Sequence, residues 1–125
     1  PLAMRAGIET LKKLSAKGTH EKLERKSKKL IDGIVAAAEK HGHDITADCA
    51  GGMFGWYFAK GPIKNFADAQ AKSDGKKFGK WHRMMLERGV YLAPSTYEAG
   101  FMSTVHTDED IEKTIAIADE VLSQL

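Results

Sequence analysis

The sequence has a single cysteine, Cys49, in 125 residues. No internal disulfide can form, and a reducing, cytoplasmic home fits. It has no apolar run long enough to span a bilayer, which argues against a membrane partner. It also has no excess of charge of one sign. Nineteen Lys and Arg meet seventeen Asp and Glu, for a formal net charge of +2. That balance is too small to argue for nucleic acid or an anionic membrane. Internal repeats and low-complexity tracts are missing. So are a nucleophile elbow and a carboxylate pair of the glycosidase type. The glycines of "AGGMFG" precede a strand pattern, not a helix, so they do not form a phosphate-cradling loop.

What is present is an ordinary globular composition, 42% hydrophobic and 29% charged. At this length about two-thirds of the unfolded surface can be buried, enough for one core. The chain opens on "PLAMRAGIETLKKL", with no initiator Met and already in an amphipathic pattern. Such a start is expected of a piece of a longer protein.

Ala3, Ile8, Leu11 and Leu14 recur at helical spacing, and Gly18 is a stop signal. Thr19 is the expected cap of a long second helix with a basic side (Lys22, Arg25, Lys26, Lys28, Lys29) and an apolar side (Leu23, Leu30, Ile34). With no aromatic residue among the cations, the basic side reads as a solvated face rather than a nucleic-acid patch. Ile45–Cys49 and Met53–Ala59 read as an antiparallel pair turning at Gly51-Gly52. The stretch from Lys60 to Lys72 reads as a polar loop. A helix opened by Ser73 or Asp74 follows, carrying Phe78, Trp81, His82 and Met85 on one side and ending at Gly89. Val90–Ala93 and Phe101–Val105 read as short strands. Thr107 with Asp110 makes a capping-box start for the last helix, whose apolar stripe is Ile111, Ile115, Ala118, Leu122 and Leu125. The order predicts an α+β fold: a small antiparallel or mixed sheet of about four strands covered by helices.

Few residues look like chemistry. His41 and His43 lack a third ligand at metal spacing, so a solvated helix-end pair is the simpler reading and no metal site is expected. Cys49 reads as a small buried hydrophobe and His106 as a loop support. Trp56, Tyr57 and Phe58 read as sheet packing, alternating between the two faces. Glu98 stands out in "GVYLAPSTYEAGFMS". A lone carboxylate between Tyr97 and Phe101 either lies in an ordinary turn or presents an acid to an ammonium-bearing ligand.

The segment "GVYLAPSTYEAGFMSTVHTDEDIEKTI" closely resembles the C-terminal signature of the glutamate-1-semialdehyde 2,1-aminomutase family. "AGGMFGWYF", "NFADA" and "PLAMRAGIETL" follow the family's order, so the similarity spans essentially the whole chain. The family belongs to the class III aminotransferases, which share the type I pyridoxal-phosphate fold. The resemblance implies the C-terminal part of a homodimeric enzyme. Residues 1–18 would be the tail of the large cofactor-binding domain, a helix, and residues 19–125 the small C-terminal domain. It implies conversion of glutamate 1-semialdehyde to 5-aminolevulinate for tetrapyrrole (porphyrin) synthesis, an isomerase activity that cycles pyridoxal 5'-phosphate and pyridoxamine 5'-phosphate. The Schiff-base lysine, the carboxylate-binding arginine and the cofactor-phosphate ligands fall upstream of Pro1 in the family. No catalytic residue and no bound cofactor are therefore expected in this chain alone, which is expected to be inactive. Glu98 matches the family's substrate-facing acid. Ser95, Tyr97 and Gly100 match the same motif and are assigned to loop shape. The competing readings are another class III aminotransferase and a stand-alone, non-catalytic binding module.

Overall fold

The computed structural model describes residues 1–125. Eight elements follow in order: α1 (Leu2–Leu14), α2 (Thr19–Lys40), β1 (Thr46–Ala50), β2 (Met53–Tyr57), α3 (Phe66–Lys72), α4 (Gly75–Glu87), β3 (Gly100–Phe101) and α5 (Asp108–Leu122). The fold is α+β as expected. The sheet has three strands rather than about four, all antiparallel, in the order β1-β2-β3.

Strand β2 organises the core. Side chains alternate across a strand, so Phe54, Trp56 and Phe58 fall on one face and are buried, while Met53, Gly55 and Tyr57 fall on the other. Phe54 stacks on Trp56, and Trp56 and Phe58 meet Trp81 of α4, which is fully buried. The ring of Trp56 lies edge-on to Trp81 at 5.1 Å, Phe58 lies edge-on at 6.0 Å, and Phe78 is at 6.1 Å. Burying each side chain of this size contributes about 2–3 kcal/mol. Helix α2 covers the same face with Leu23, Leu30, Ile31, Ile34 and Ala38. Helix α5 lies along α2, adding Ile111, Ala118, Val121 and Leu122 to the core. The two helices approach closely at Gly33, where a Cβ would sit 2.4 Å from Ile115 Cδ1. Helices α2, α4 and α5 thus cover one face of the sheet, and no helix of the core covers the other.

The α2 cations do more than meet solvent. Lys28 pairs with Asp32 one turn along α2, but Arg25 reaches Asp108 at 3.3 Å, Lys29 reaches Glu112 at 2.7 Å and Lys40 reaches Asp119 at 2.8 Å, all on α5. Lys26 donates to the backbone oxygens of Thr104 and His106. Arg25 and Lys29 of the expected solvated face, joined by Lys40, therefore form a charged seam between two helices.

Four local expectations change. Helix α2 is preceded by Gly18 at φ +84°, and the Thr19 hydroxyl donates back to Lys13 O rather than capping. The expected loop before Lys72 contains α3, because the Asn65 side chain accepts from Asp68 N at 2.9 Å and starts the helix. Val90–Ala93 is not a strand. Its alternation is real, with Val90 and Leu92 packed on the core and Tyr91 81% exposed. Its backbone, however, bonds α4: Val90 N donates to Met85 O, and Leu92 O accepts from His82 Nε2. The expected strand Phe101–Val105 is reduced to Gly100–Phe101, because Ser103 to His106 closes a turn in which Ser103 N donates to His106 Nδ1 at 3.1 Å. That bond gives His106 the loop-supporting place expected of it.

The capping box forms as expected, with Thr107 and Asp110 bonding reciprocally. Asp110 and Asp108 are both held below the usual carboxylate range. For Asp110 the cause is its bonds from Thr107, and for Asp108 it is the Arg25 guanidinium. The Lys40 ammonium and then the His41 ring do the same to Asp119. A carboxylate with a lowered folded value stabilises the fold above its unfolded value, and that contribution is lost as pH falls through the folded value. Denaturant midpoints measured from about pH 6 down to about pH 3 should therefore decline. Asp119→Asn should be less stable than the parent near neutrality and lose less on acidification.

Candidate functional site

The open face of the sheet holds a cleft of about 260 Å³. Its floor is β1 and β2, with Thr46, Asp48, Ala50, Met53, Gly55 and Tyr57 pairing across the open face in register. Its walls are Ile63, from the segment between β2 and α3, and residues 96–99. Most of the lining is apolar. The charged groups are two carboxylates, Asp48 and Glu98, with no lysine, arginine or histidine among the lining residues.

Four members of the 95–100 loop, Ser95, Thr96, Tyr97 and Gly100, have visible structural tasks. The Ser95 hydroxyl accepts from Tyr97 N at 3.2 Å, and Ser95 O accepts from Glu98 N at 3.1 Å. These two bonds close a tight turn. Thr96 is buried under the turn, its hydroxyl without a hydrogen-bond partner. Tyr97 is half exposed and lies edge-on to Phe66 of α3, ring centres 5.5 Å apart. Gly100 begins β3 directly over the Phe54 ring, where a Cβ would meet ring carbons at 2.4 and 2.5 Å. Glu98 itself is exposed at the cleft rim, and its carboxylate makes no hydrogen bond or ion pair within the chain. Its surroundings therefore leave the acid free for an external partner, and Phe101, 70% exposed, does not enclose it.

The other candidate residues are engaged elsewhere. His41 Nε2 donates to Asp119, while His43 Nε2 donates to Leu122 O and its Nδ1 accepts from Lys77. The two histidines thus serve different contacts between helices. Cys49 is partly buried beside the core, and burial, with Asp48 nearby, pushes its thiol up and away from reactive thiolate character. Trp56 and Phe58 are core, and Tyr57 alone of the three faces the cleft. The missed participants are Asp48, Ile63 and Phe66. The 2-residue alternation of β1 pointed to Asp48's face, but nothing in the sequence says that the Lys60–Asn65 segment folds back over it.

The cleft does not suit pyridoxal phosphate by itself. A phosphate needs cations or a set of backbone N–H donors, and this lining offers carboxylates and hydroxyls. What the arrangement can do is accept hydrogen bonds from an ammonium group at Glu98 and repel a second anion there. The shape of the loop depends on Gly100. Gly100→Ala should collide with Phe54, lower the thermal midpoint and alter near-ultraviolet circular dichroism, whereas Ala99→Gly, at an exposed neighbour, should change neither appreciably.

No protein-family model matches the sequence. Solved structures do match. An omega-transaminase from Sphaerobacter thermophilus aligns at TM-score 0.80 and 19% identity, over 98% of this chain and 27% of that one. The pyridoxal-phosphate internal aldimine form of the FumI protein of Sphingopyxis sp. MTA144 aligns at 0.73 and 25% identity, over 97% and 26%. A transaminase with pyridoxal phosphate bound aligns at 0.68 and 20% identity, over 90% and 24%. The chain thus spans about a quarter of the length of each of these structures and has the fold of that part of a pyridoxal-phosphate transaminase.

Proposed function

We propose that the chain is the C-terminal part of a pyridoxal-phosphate-dependent aminomutase that converts glutamate 1-semialdehyde to 5-aminolevulinate, with Glu98 as its substrate-facing acid. In this reading α1 is the tail of the large cofactor domain and residues 19–125 are the small domain. The observation that carries it is Glu98. The acid of "APSTYEAGF" stands unpaired at the rim of the cleft, on a loop in which Ser95, Thr96, Tyr97 and Gly100 are committed to structure. The transaminase fold supports the cofactor class, and the motif supports the aminomutase over other aminotransferases. Helix α1 fits its assignment: none of its residues is buried, and Leu2, Met4, Ile8 and Leu11 are exposed along it.

Glu98 would bind the amino groups of the substrate and its product. The same charge would disfavour an ordinary dicarboxylate aminotransferase substrate at that point. The cofactor supplies the electron sink for moving the amino group, and the residues that hold it belong to the upstream part of the parent protein. In the parent homodimer, Glu98→Gln should leave folding and cofactor loading intact and lower aminomutase kcat/KM by about tenfold to a hundredfold, the worth of a charge-assisted hydrogen bond. The 125-residue chain titrated with pyridoxal phosphate should give neither a stoichiometric absorbance change nor 5-aminolevulinate. Turnover by the chain alone, or unchanged kinetics in the variant, would defeat this reading.

A further inference from the structure

A substrate-binding carboxylate with no partner of its own must be positioned by the backbone that carries it. On one side the anchors of Glu98 are local: the Ser95 turn and buried Thr96. On the side of the cleft wall the contact is Tyr97 against Phe66, at 5.5 Å.

Phe66 is an unusual residue to find there. It is the first residue of α3, and it is 63% exposed. It takes no part in the hydrophobic core. Its segment, in contrast, is firmly held. The left-handed Gly61 turns the chain at φ +78°, and Thr46 Oγ1 donates to the oxygens of Ala59 and Gly61. Lys72 Nζ donates back to Pro62 O at 2.9 Å, Lys64 N donates to Asp68, and Ala69 is buried. Past the helix, Asp74 N donates to Phe58 O. The segment from Ala59 to Asp74 is therefore a strap tied to Thr46 of β1 at one end and to Phe58, just past β2, at the other. It carries Ile63 into the cleft and brings Phe66 to Tyr97.

We propose that Phe66 is a positioning residue for Glu98. Through its edge-on contact with Tyr97, the strap fixes the loop that presents the acid to the cleft. The inference rests on the proposed role of Glu98 and adds a residue on a separate element to the machinery that sets it. Phe66 touches neither substrate nor cofactor; it acts through Tyr97.

The test has two arms. In the 125-residue chain, hydrogen exchange of peptides covering Tyr97 and Glu98 should quicken by up to about tenfold in Phe66→Ala, the equilibrium worth of such an aromatic pair. It should return towards the parent rate in Phe66→Tyr, with the thermal midpoint unchanged because the residue lies outside the core. In the parent enzyme, Phe66→Ala should lower kcat/KM by up to about tenfold in the same direction as Glu98→Gln, and Phe66→Tyr should restore it. Unchanged exchange at the loop overturns the proposal, as does a Phe66→Ala enzyme with full activity where Glu98→Gln is impaired. If exchange quickens but both variants keep full activity, the anchoring of the loop by Phe66 stands and the substrate role of Glu98 falls.

Discussion

The alternation of β2 against Trp81 is the constraint on which the rest of this structure depends. Trp56 and Phe58 can reach the fully buried indole, and Phe54 can stack on Trp56, only from one face of the strand. A shift of one residue in register would turn this aromatic set to the opposite face. With that register fixed, Gly55 and Tyr57 must face away from the helices, opposite Asp48 and Thr46 of β1. The cleft floor is thus the necessary reverse side of the core.

Close approach by glycine decides the shape at two further points. Gly33 lets α5 lie against α2, and the acidic residues of α5 then meet the cations of α2 along the seam. Exposed pairs of this kind contribute little individually. Their number and direction favour one alignment of the two helices. Gly100 lets β3 cross the Phe54 ring, so that the Glu98 loop leaves the core at one place. The loop's acid is unpaired, yet Thr96 beside it is buried, Tyr97 meets the strap and Gly100 lies against the buried Phe54. That division of labour, with rigid supports and one free group, is what a binding loop requires.

Much of this architecture was legible in residue patterns. The capping box of α5 was readable because Thr107 and Asp110 lie at the only spacing that bond pair permits. The β1–β2 hairpin was readable because apolar alternation brackets Gly51-Gly52, and Gly51 takes φ +56°. Val90–Ala93 shows where such reading stops. Its burial alternates as a strand's would, but its backbone groups are satisfied by α4. Alternation reports which side chains are buried, not which groups accept the hydrogen bonds. Helix α3 was missed because its seven residues bury only Ala69 and show no stripe, although Asn65 and Asp68 held a capping signal.

By itself the sequence determined the α+β class, the helix faces and the presence of an acid in a short turn-rich loop. Those properties depend on spacing along the chain, and spacing is local. Its resemblance to an aminomutase signature also singled out Glu98, Ser95, Tyr97 and Gly100. Tertiary structure alone decided that the strap from Ala59 to Asp74 folds over the open sheet face, that Phe66 meets Tyr97, and that the Glu98 carboxylate is left without a partner. Those facts depend on pairs of residues from 13 positions apart (Thr46 and Ala59) to about thirty (Phe66 and Tyr97), whose meeting is set by how the helices and sheet pack. No short window of sequence contains that information.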